Sequence, residues 1–287
     1  MKASVVITTK NRKEELRVAL RSAFAQTAQT EILVMDDGST DGTAEMVRAE
    51  FPKVVLHSFN VSSGCIVRRN EGARLATGDV IFSIDDDAEF STPDVIEQTL
   101  REFVDPRIGA VAIPFIEPHK DNRIMQQAPD QTTAWITNQF IGTAHAVRRE
   151  VFLDLGGYRE HLVHQGEEGD FCIRLVNDGH FVRLGHADAI IHYESPKRNL
   201  SRMDYYGPRN AILFVWQNVP KRHFLVHLLA TTFNCLRWTL IPKRLMTRLR
   251  GIIAGYVGCL EVARRPVTLE TYRRWRELTK EDGMPLQ

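Results

Sequence analysis

The sequence predicts an α/β fold in which a mostly parallel sheet carries helices on both faces, followed by a basic helical extension. Three observations predict it. Short β-branched apolar runs alternate with helical patterns as far as Ile113. Four of those runs end in clusters of polar residues. The charge also changes sign along the chain: residues 1–196 carry 20 Lys and Arg against 30 Asp and Glu, whereas residues 197–287 carry 17 against 6. The chain is accordingly divided into a sheet domain, residues 1–198, and a helical extension, residues 199–287.

The elements follow in order. "SVVITT" (Ser4–Thr9) is the first strand, and Leu16, Ala19, Leu20, Ala23 and Phe24 share one face of the helix after it. "EILVM" (Glu31–Met35) is the second strand, with Asp41 as a cap for a helix carrying Ala44 and Val47. "VVLHSF" (Val54–Phe59) is the third strand, and a short helix over Arg68–Ala76 is closed by Gly78. "DVIFSI" (Asp79–Ile84) is the fourth, after which Thr92 and Pro93 open a helix reaching about Phe103. "IGAVAI" (Ile108–Ile113) is the fifth. Four βα units imply a parallel sheet covered on both sides. Pro114–Pro129, with three prolines and no period, reads as an irregular excursion. Gly142–Tyr158 is a strand and a short helix stopped by two glycines, and a further helix over Gly169–Asp178 ends at Gly179.

Composition sets wide bounds. A chain of 287 residues, 43% hydrophobic and 25% charged, buries one sizeable core. Its start, "MKASVVITTKNR", is a strand followed by charges rather than a signal peptide. Cys65, Cys172, Cys235 and Cys259 form no CxxC or metal-finger spacing and read as thiols of a reducing cytosol.

Open parallel sheets bind ligands at the carboxyl ends of their strands, and here those ends are polar. They carry Thr8, Thr9, Asn11 and Arg12; Asp36 and Asp37; Asn60 to Gly64 with Arg68 and Arg69 beyond; and Asp85, Asp86 and Asp87. Carboxylates gathered on one rim need compensating charge. A divalent cation supplies it, and oxygen ligands suit Mg²⁺ or Mn²⁺. Asp85 and Asp87 point the same way from an extended segment, and Asp86 the other. No GxxxxGK[ST] occurs and no GxGxxG follows the first strand, which excludes P-loop hydrolases and argues against dinucleotide dehydrogenases.

"SVVITTKNR", "ILVMDDGSTDGT", "GCIVRRNEGARLATGDVIFSIDDDAEF" and "GGYREHLVHQGEEGDFCIRLVNDGH" stand in the order seen in family 2 glycosyltransferases, and residues 3–195 resemble that family. The resemblance implies a GT-A (Rossmann-like) fold and transfer of a sugar from a nucleotide diphosphate sugar, UDP- or dTDP-linked, to an acceptor hydroxyl with inversion. It implies that Thr8, Thr9 and Asn11, with Asp36 or Asp37, cradle base and ribose, with Asp37 on the base N3–H. It assigns Arg69 to the diphosphate, Asp85 and Asp86 to the nucleotide sugar, and Asp87, Asp85 and His192 to the metal. The family usually shows Glu-Asp where "QGEEGDF" has Glu167 and Glu168. The second position acts as base, so the base is Glu168 or Glu167, with Glu168 preferred. Asp170 is expected as a first-turn helix charge, and His145 on the acceptor side.

In the tail, Leu245, Leu249, Ile252, Ile253, Tyr256, Leu260 and Ala263 form one helical stripe. Phe224–Ile241 is apolar but interrupted by His227, Asn234 and Arg237, which reads as interfacial or packed rather than spanning. Trp216, Trp238, Tyr256 and Trp275 accompany the basic charge without a base-stacking module, so an anionic membrane surface is expected and nucleic acid is not. With a glycan or lipid-linked acceptor, this places the protein in the cytoplasm, peripheral on the inner face of the membrane. Two alternatives remain. A sugar-nucleotide pyrophosphorylase wants a glycine-rich loop where "TTKNRKEEL" has none. A catalytically inactive sugar- or nucleotide-binding protein is the non-enzyme alternative.

Overall fold

A computed structural model describes residues 1–193, 200–237, 242–280 and 283–286. The expected boundary at 198/199, Trp238 and the end of the apolar stretch at Ile241 lie outside the described residues. The order is β1 (Ala3–Thr9), α1 (Lys13–Phe24), β2 (Thr30–Asp36), α2 (Thr43–Glu50), β3 (Val55–Ser58), α3 (Cys65–Leu75), β4 (Val80–Asp85), β5 (Ala88–Phe90) and α4 (Val95–Leu100). Then come β6 (Ile108–Ala112), β7 (Phe115–Ile116), β8 (Trp135–Thr137), β9 (Ala144–Arg148), α5 (Arg149–Asp154), α6 (Glu167–Asn177), β10 (Phe181–Leu184) and β11 (Ile190–His192). Helices α7 (Leu200–Asn218), α8 (Lys221–Arg237), α9 (Pro242–Glu261) and α10 (Leu269–Leu278) and the short β12 (Met284–Pro285) complete the chain.

The main sheet runs β12-β8-β10-β6-β9-β4-β1-β2-β3. Pairs β1–β2, β1–β4, β2–β3 and β6–β10 are parallel, while β9 is antiparallel to both β4 and β6. Alternation along β1 explains the two cores. Val5 and Ile7 face Leu16 and Leu20 of α1, Val47 of α2 and Ile96 of α4. Val6 faces the other side, with Ile66 and Ala73 of α3, Phe152 of α5 and Phe171 of α6. At Gly72 on α3, a Cβ would stand 2.4 Å from Val6 Cγ1 and 3.2 Å from Met35 Cγ. Gly72→Ala is therefore expected to lower stability by about 1–3 kcal/mol through overpacking, read from urea unfolding.

Some expectations change. Helix α4 is shorter than the Thr92–Phe103 segment, because Thr92 turns to Asp188, its hydroxyl 2.7 Å from Oδ2. Helix α6 starts two residues before Gly169, which brings Glu167 and Glu168 into its first turn. The irregular excursion supplies β7 to a small sheet ordered β5-β11-β7.

The residues after 199 pack on α6, whose Ile173 meets Val215, Val219, Val267 and Tyr272, and they are not wholly helical, because β12 pairs antiparallel with β8 in the main sheet. On α9 the expected stripe is divided, with Ile252 buried and much of the rest left outside. Gly251, Gly255 and Gly258 press against α7, where a Cβ at Gly251 would meet Tyr205 O at 2.2 Å. Ile253, Tyr256 and Leu260 are exposed, Leu260 by 88%. Helix α8 buries no side chain fully, and Leu225, Val226, Leu229 and Phe233 are exposed on it. Among the described residues, no helix is long and apolar enough to cross a membrane.

Candidate active site

The strand order reverses beside β1: the chain runs outward to β2 and β3, then returns to β4 on the other side of β1. Such a switch is where open α/β sheets form their ligand crevice, here at the carboxyl ends of β1 and β4, and the triple aspartate lies there. Asp85 ends β4, and Asp86 and Asp87 form the turn into β5. Asp85 Oδ1 accepts from Arg69 at 2.6 Å, and Asp87 Oδ2 accepts from Arg12 at 3.0 Å. The second oxygen of each faces His192 Nε2, Asp85 Oδ2 at 4.0 Å and Asp87 Oδ1 at 3.4 Å. The antiparallel pairing of β11 with β5 brings His192 there, opposite Ala88.

One ligand atom from each of Asp85, Asp87 and His192 lies within 4.8 Å of the others. Glu117 Oε1 holds His192 Nδ1 at 3.1 Å, the carboxylate–histidine support that orients a metal-binding imidazole. Two carboxylates and one imidazole fit a divalent ion such as Mn²⁺ or Mg²⁺. Burial pulls the His192 pKa down, but Asp87, Asp85 and Glu117 outweigh it and hold the ring above its usual value.

Arginines supply much of the compensation expected from a cation. Arg12 spans Asp86 and Asp87, Arg68 meets Asp37, and Arg69 meets Asp85. Negative charge still prevails, because Glu167 and Glu168 also converge on Arg69, at 3.4 and 3.9 Å from Nη1. Glu167 is buried, and its Oε2 has no partner among the described residues. Glu168 opens into a cavity of about 550 Å³ with Gln139, Phe140, Asn210, Phe214 and Trp275 in its wall. Burial, and then Glu167, push the Glu168 carboxyl above the ordinary carboxylate range, with Arg69 opposing.

Gly142 makes this approach possible. A Cβ there would stand 2.4 Å from Glu168 Oε1 and 3.0 Å from Arg69 Nη1. Gly142→Ala is expected to displace both side chains and to cost at least about tenfold in kcat/KM, the scale on which small misplacements act. Steady-state kinetics check it, with the melting temperature as a control for folding.

The other candidate residues make contacts within the protein. Asp86 turns inward, its oxygens taken by Thr9 Oγ1 at 2.8 Å and Arg12 at 2.7 Å, and so it positions the β1 loop rather than facing a nucleotide. Thr9 is buried with it, which leaves Thr8 on the crevice, 3.2 Å from Cys65 Sγ. Asp36 accepts from Ser39 N and Ser58 Oγ. Asp37 accepts from Ser62, Ser63 N, Gly64 N and Arg68, so a base N3–H would compete with donors already in place. Asn11 Oδ1 accepts from Thr40 N at 2.7 Å and ties the first two loops together. Asp170 is a buried node joining Arg159, Arg174 and Asn218 rather than a solvated helix charge. His145 is a core residue, stacked on Phe140 and 2.9 Å from the Tyr158 hydroxyl. Burial pushes its pKa down to about 3. Arg12 is visible in sequence at the end of β1, but its pairing with Asp86 and Asp87 carries no sequence signal, nor do the contacts of Gly142 or of Glu117, which lies in an aperiodic stretch.

Residues 4–156 match the family model of Glycosyl transferase family 2. A glucosyl-dolichyl phosphate glucuronosyltransferase of Haloferax volcanii is 28% identical over 251 residues, 77% of each chain. Among solved structures, a mannosyltransferase of Pyrobaculum calidifontis in complex with GDP-Man and Mn²⁺ superposes with a TM-score of 0.63 at 20% identity, over 97% of this chain and 79% of that one. S. aureus TarS 1-349 in complex with UDP-GlcNAc gives 0.66 at 17% identity, over 89% and 81%. These structural likenesses show a GT-A fold. The family match spans more than half of the chain, including β1, β4 and the triple aspartate. The protein is a glycosyltransferase and belongs to glycosyl transferase family 2.

Proposed function

We propose that this glycosyltransferase moves a sugar from a UDP- or dTDP-sugar to a hydroxyl of a lipid-linked or cell-surface glycan, with inversion at the anomeric carbon. The observation that carries this reading is the convergence on Arg69. One buried guanidinium meets Asp85 on the metal side and Glu167 and Glu168 on the cavity side. The donor lies over the β1–β4 crevice, with Thr8 and the Asp36–Asp37 loop at its nucleoside end. Arg69 turns its fork from Asp85 to the diphosphate, whose oxygens it suits. Asp85, Asp87 and His192 would hold Mn²⁺ or Mg²⁺, which neutralises charge on the departing diphosphate. Glu168 takes the proton of the acceptor hydroxyl as that oxygen bonds to the anomeric carbon, and the bond to the diphosphate breaks with its electron pair leaving on the nucleotide.

The cavity beside Glu168 is the acceptor's place, since its aromatic and amide lining suits a sugar ring. The exposed apolar residues of α8 and α9, together with the basic extension, support docking on an anionic membrane at the cytoplasmic face. A relative named for a glucosyl-dolichyl phosphate supports a lipid-linked acceptor. Incubation with a panel of nucleotide sugars and Mn²⁺ tests the reaction. Release of nucleotide diphosphate is expected from UDP- or dTDP-sugars, and its absence throughout the panel, even with membrane extract as acceptor, would leave only a binding protein. Flotation with liposomes containing anionic lipid is expected to carry the full chain upward, and neutral liposomes are expected to carry less.

A further inference from the structure

A second cavity, of about 430 Å³, adjoins the first; Gln165, Gly207, Ala211 and Thr231 stand in the walls of both. Two arginines of α9, Arg244 and Arg248, line it together with one buried carboxylate of α7, Asp204. Arg244 meets Asp204 through Nε at 2.6 Å and Nη2 at 2.7 Å, and Arg248 Nη1 lies 3.2 Å from Asp204 Oδ1. Two cations against one anion leave one positive charge in the cavity. Arg248 Nε is buried without a partner among the described residues, and its Nη2 reaches Cys235 O only at 3.4 Å. Arginine forks that keep spare N–H groups beside a net positive charge are suited to phosphate oxygens. The exposed apolar side chains of Leu229 and Phe233 lie on α8, the helix that contributes Asn234 and Cys235 to the same cavity.

We propose that Arg244 and Arg248 bind a phosphate carried by the acceptor, so that the acceptor is a lipid-linked glycosyl phosphate. Its sugar enters the cavity beside Glu168 and its apolar chain lies along α8. This rests on the transferase reading for the identity of the first cavity, but its test does not depend on turnover. Isothermal titration of the full chain, without donor, is carried out with farnesyl phosphate, farnesol and inorganic phosphate. Farnesyl phosphate is expected to bind tightest, and Arg244→Gln to weaken it by about tenfold or more, as for a lost charge-assisted hydrogen bond. Arg244 suits the test because its side chain is 41% exposed and Arg248 still pairs Asp204 without it. Arg244→Lys keeps the charge and is expected to fall between wild type and Arg244→Gln. The thermal shift produced by UDP and Mn²⁺, measured on the same preparations, is expected to be unchanged and reports on the donor site separately. Farnesol binding as tightly as farnesyl phosphate, or a folded Arg244→Gln with undiminished affinity, overturns the phosphate subsite. Inorganic phosphate binding as tightly as farnesyl phosphate makes the cavity a site for a free anion and overturns the acceptor assignment.

Discussion

Glu168→Gln is expected to abolish sugar transfer while leaving donor binding intact, with kcat falling by about 10²–10⁴, the usual contribution of a positioned proton acceptor. Glutamine keeps the shape of the side chain and removes only its capacity to take a proton. Glu168 Oε1 stands 3.9 Å from Arg69 Nη1, outside hydrogen-bond range, and the side chain opens into the cavity. Its loss therefore leaves the Arg69–Asp85 pair, at 2.6 Å, undisturbed. Glu167 behaves differently. It is more deeply buried and nearer Arg69, at 3.4 Å, so Glu167→Gln is expected to alter donor affinity more than kcat. Single-turnover rates and a UDP titration separate the two effects, and full activity in Glu168→Gln would remove it as the base. The pH profile carries the same assignment. Burial and Glu167 raise the Glu168 pKa, and a base works only when ionised. The acidic limb of kcat should thus rise with pH through a value above the ordinary carboxylate range, and vanish in Glu168→Gln.

The framework of this site was legible because its elements carry strong local signals. Strands β1, β2 and β4 are apolar runs rich in β-branched residues and buried over most of their length between two helix layers, and the triple aspartate begins at the end of β4. Partner choice was harder to read. Asp86 and Asp37 resemble ligand-facing carboxylates in sequence, yet Arg12 and Arg68 arrive from other segments and turn them to internal work. Glu117 supports His192 across 75 residues of sequence, through a sheet of three short strands too brief to show a period. On α9 the apolar stripe was visible, but the tight approach to α7 selects glycines beside Ile252 for the buried face and leaves Ile253, Tyr256 and Leu260 outside. Hydrophobic periodicity identifies a face, whereas the closeness of the neighbouring backbone decides whether that face is buried.

Asp87→Asn is expected to remove the gain in donor affinity that Mn²⁺ provides. A metal site of two carboxylates and one histidine loses a charged ligand, and the remaining Asp85 shares its other oxygen with Arg69. Asparagine is the informative replacement because Asp87 also accepts from Arg12 at 3.0 Å. Alanine would release that arginine and disturb Asp86, whereas an amide oxygen still accepts from it. Titration with Mn²⁺ alone, before any nucleotide is added, should show affinity falling by at least about tenfold to a hundredfold, the loss typical of even an outer supporting residue. Glu117→Gln supplies the second arm: it leaves all three ligands in place and weakens the hold on His192 Nδ1, along with the half-exposed pair to Lys120. It is expected to lower Mn²⁺ affinity less than Asp87→Asn, with UDP binding in the absence of metal unchanged in both. Equal Mn²⁺ affinity in wild type and both variants would show that Asp85, Asp87 and His192 form a network of ion pairs and hold no ion.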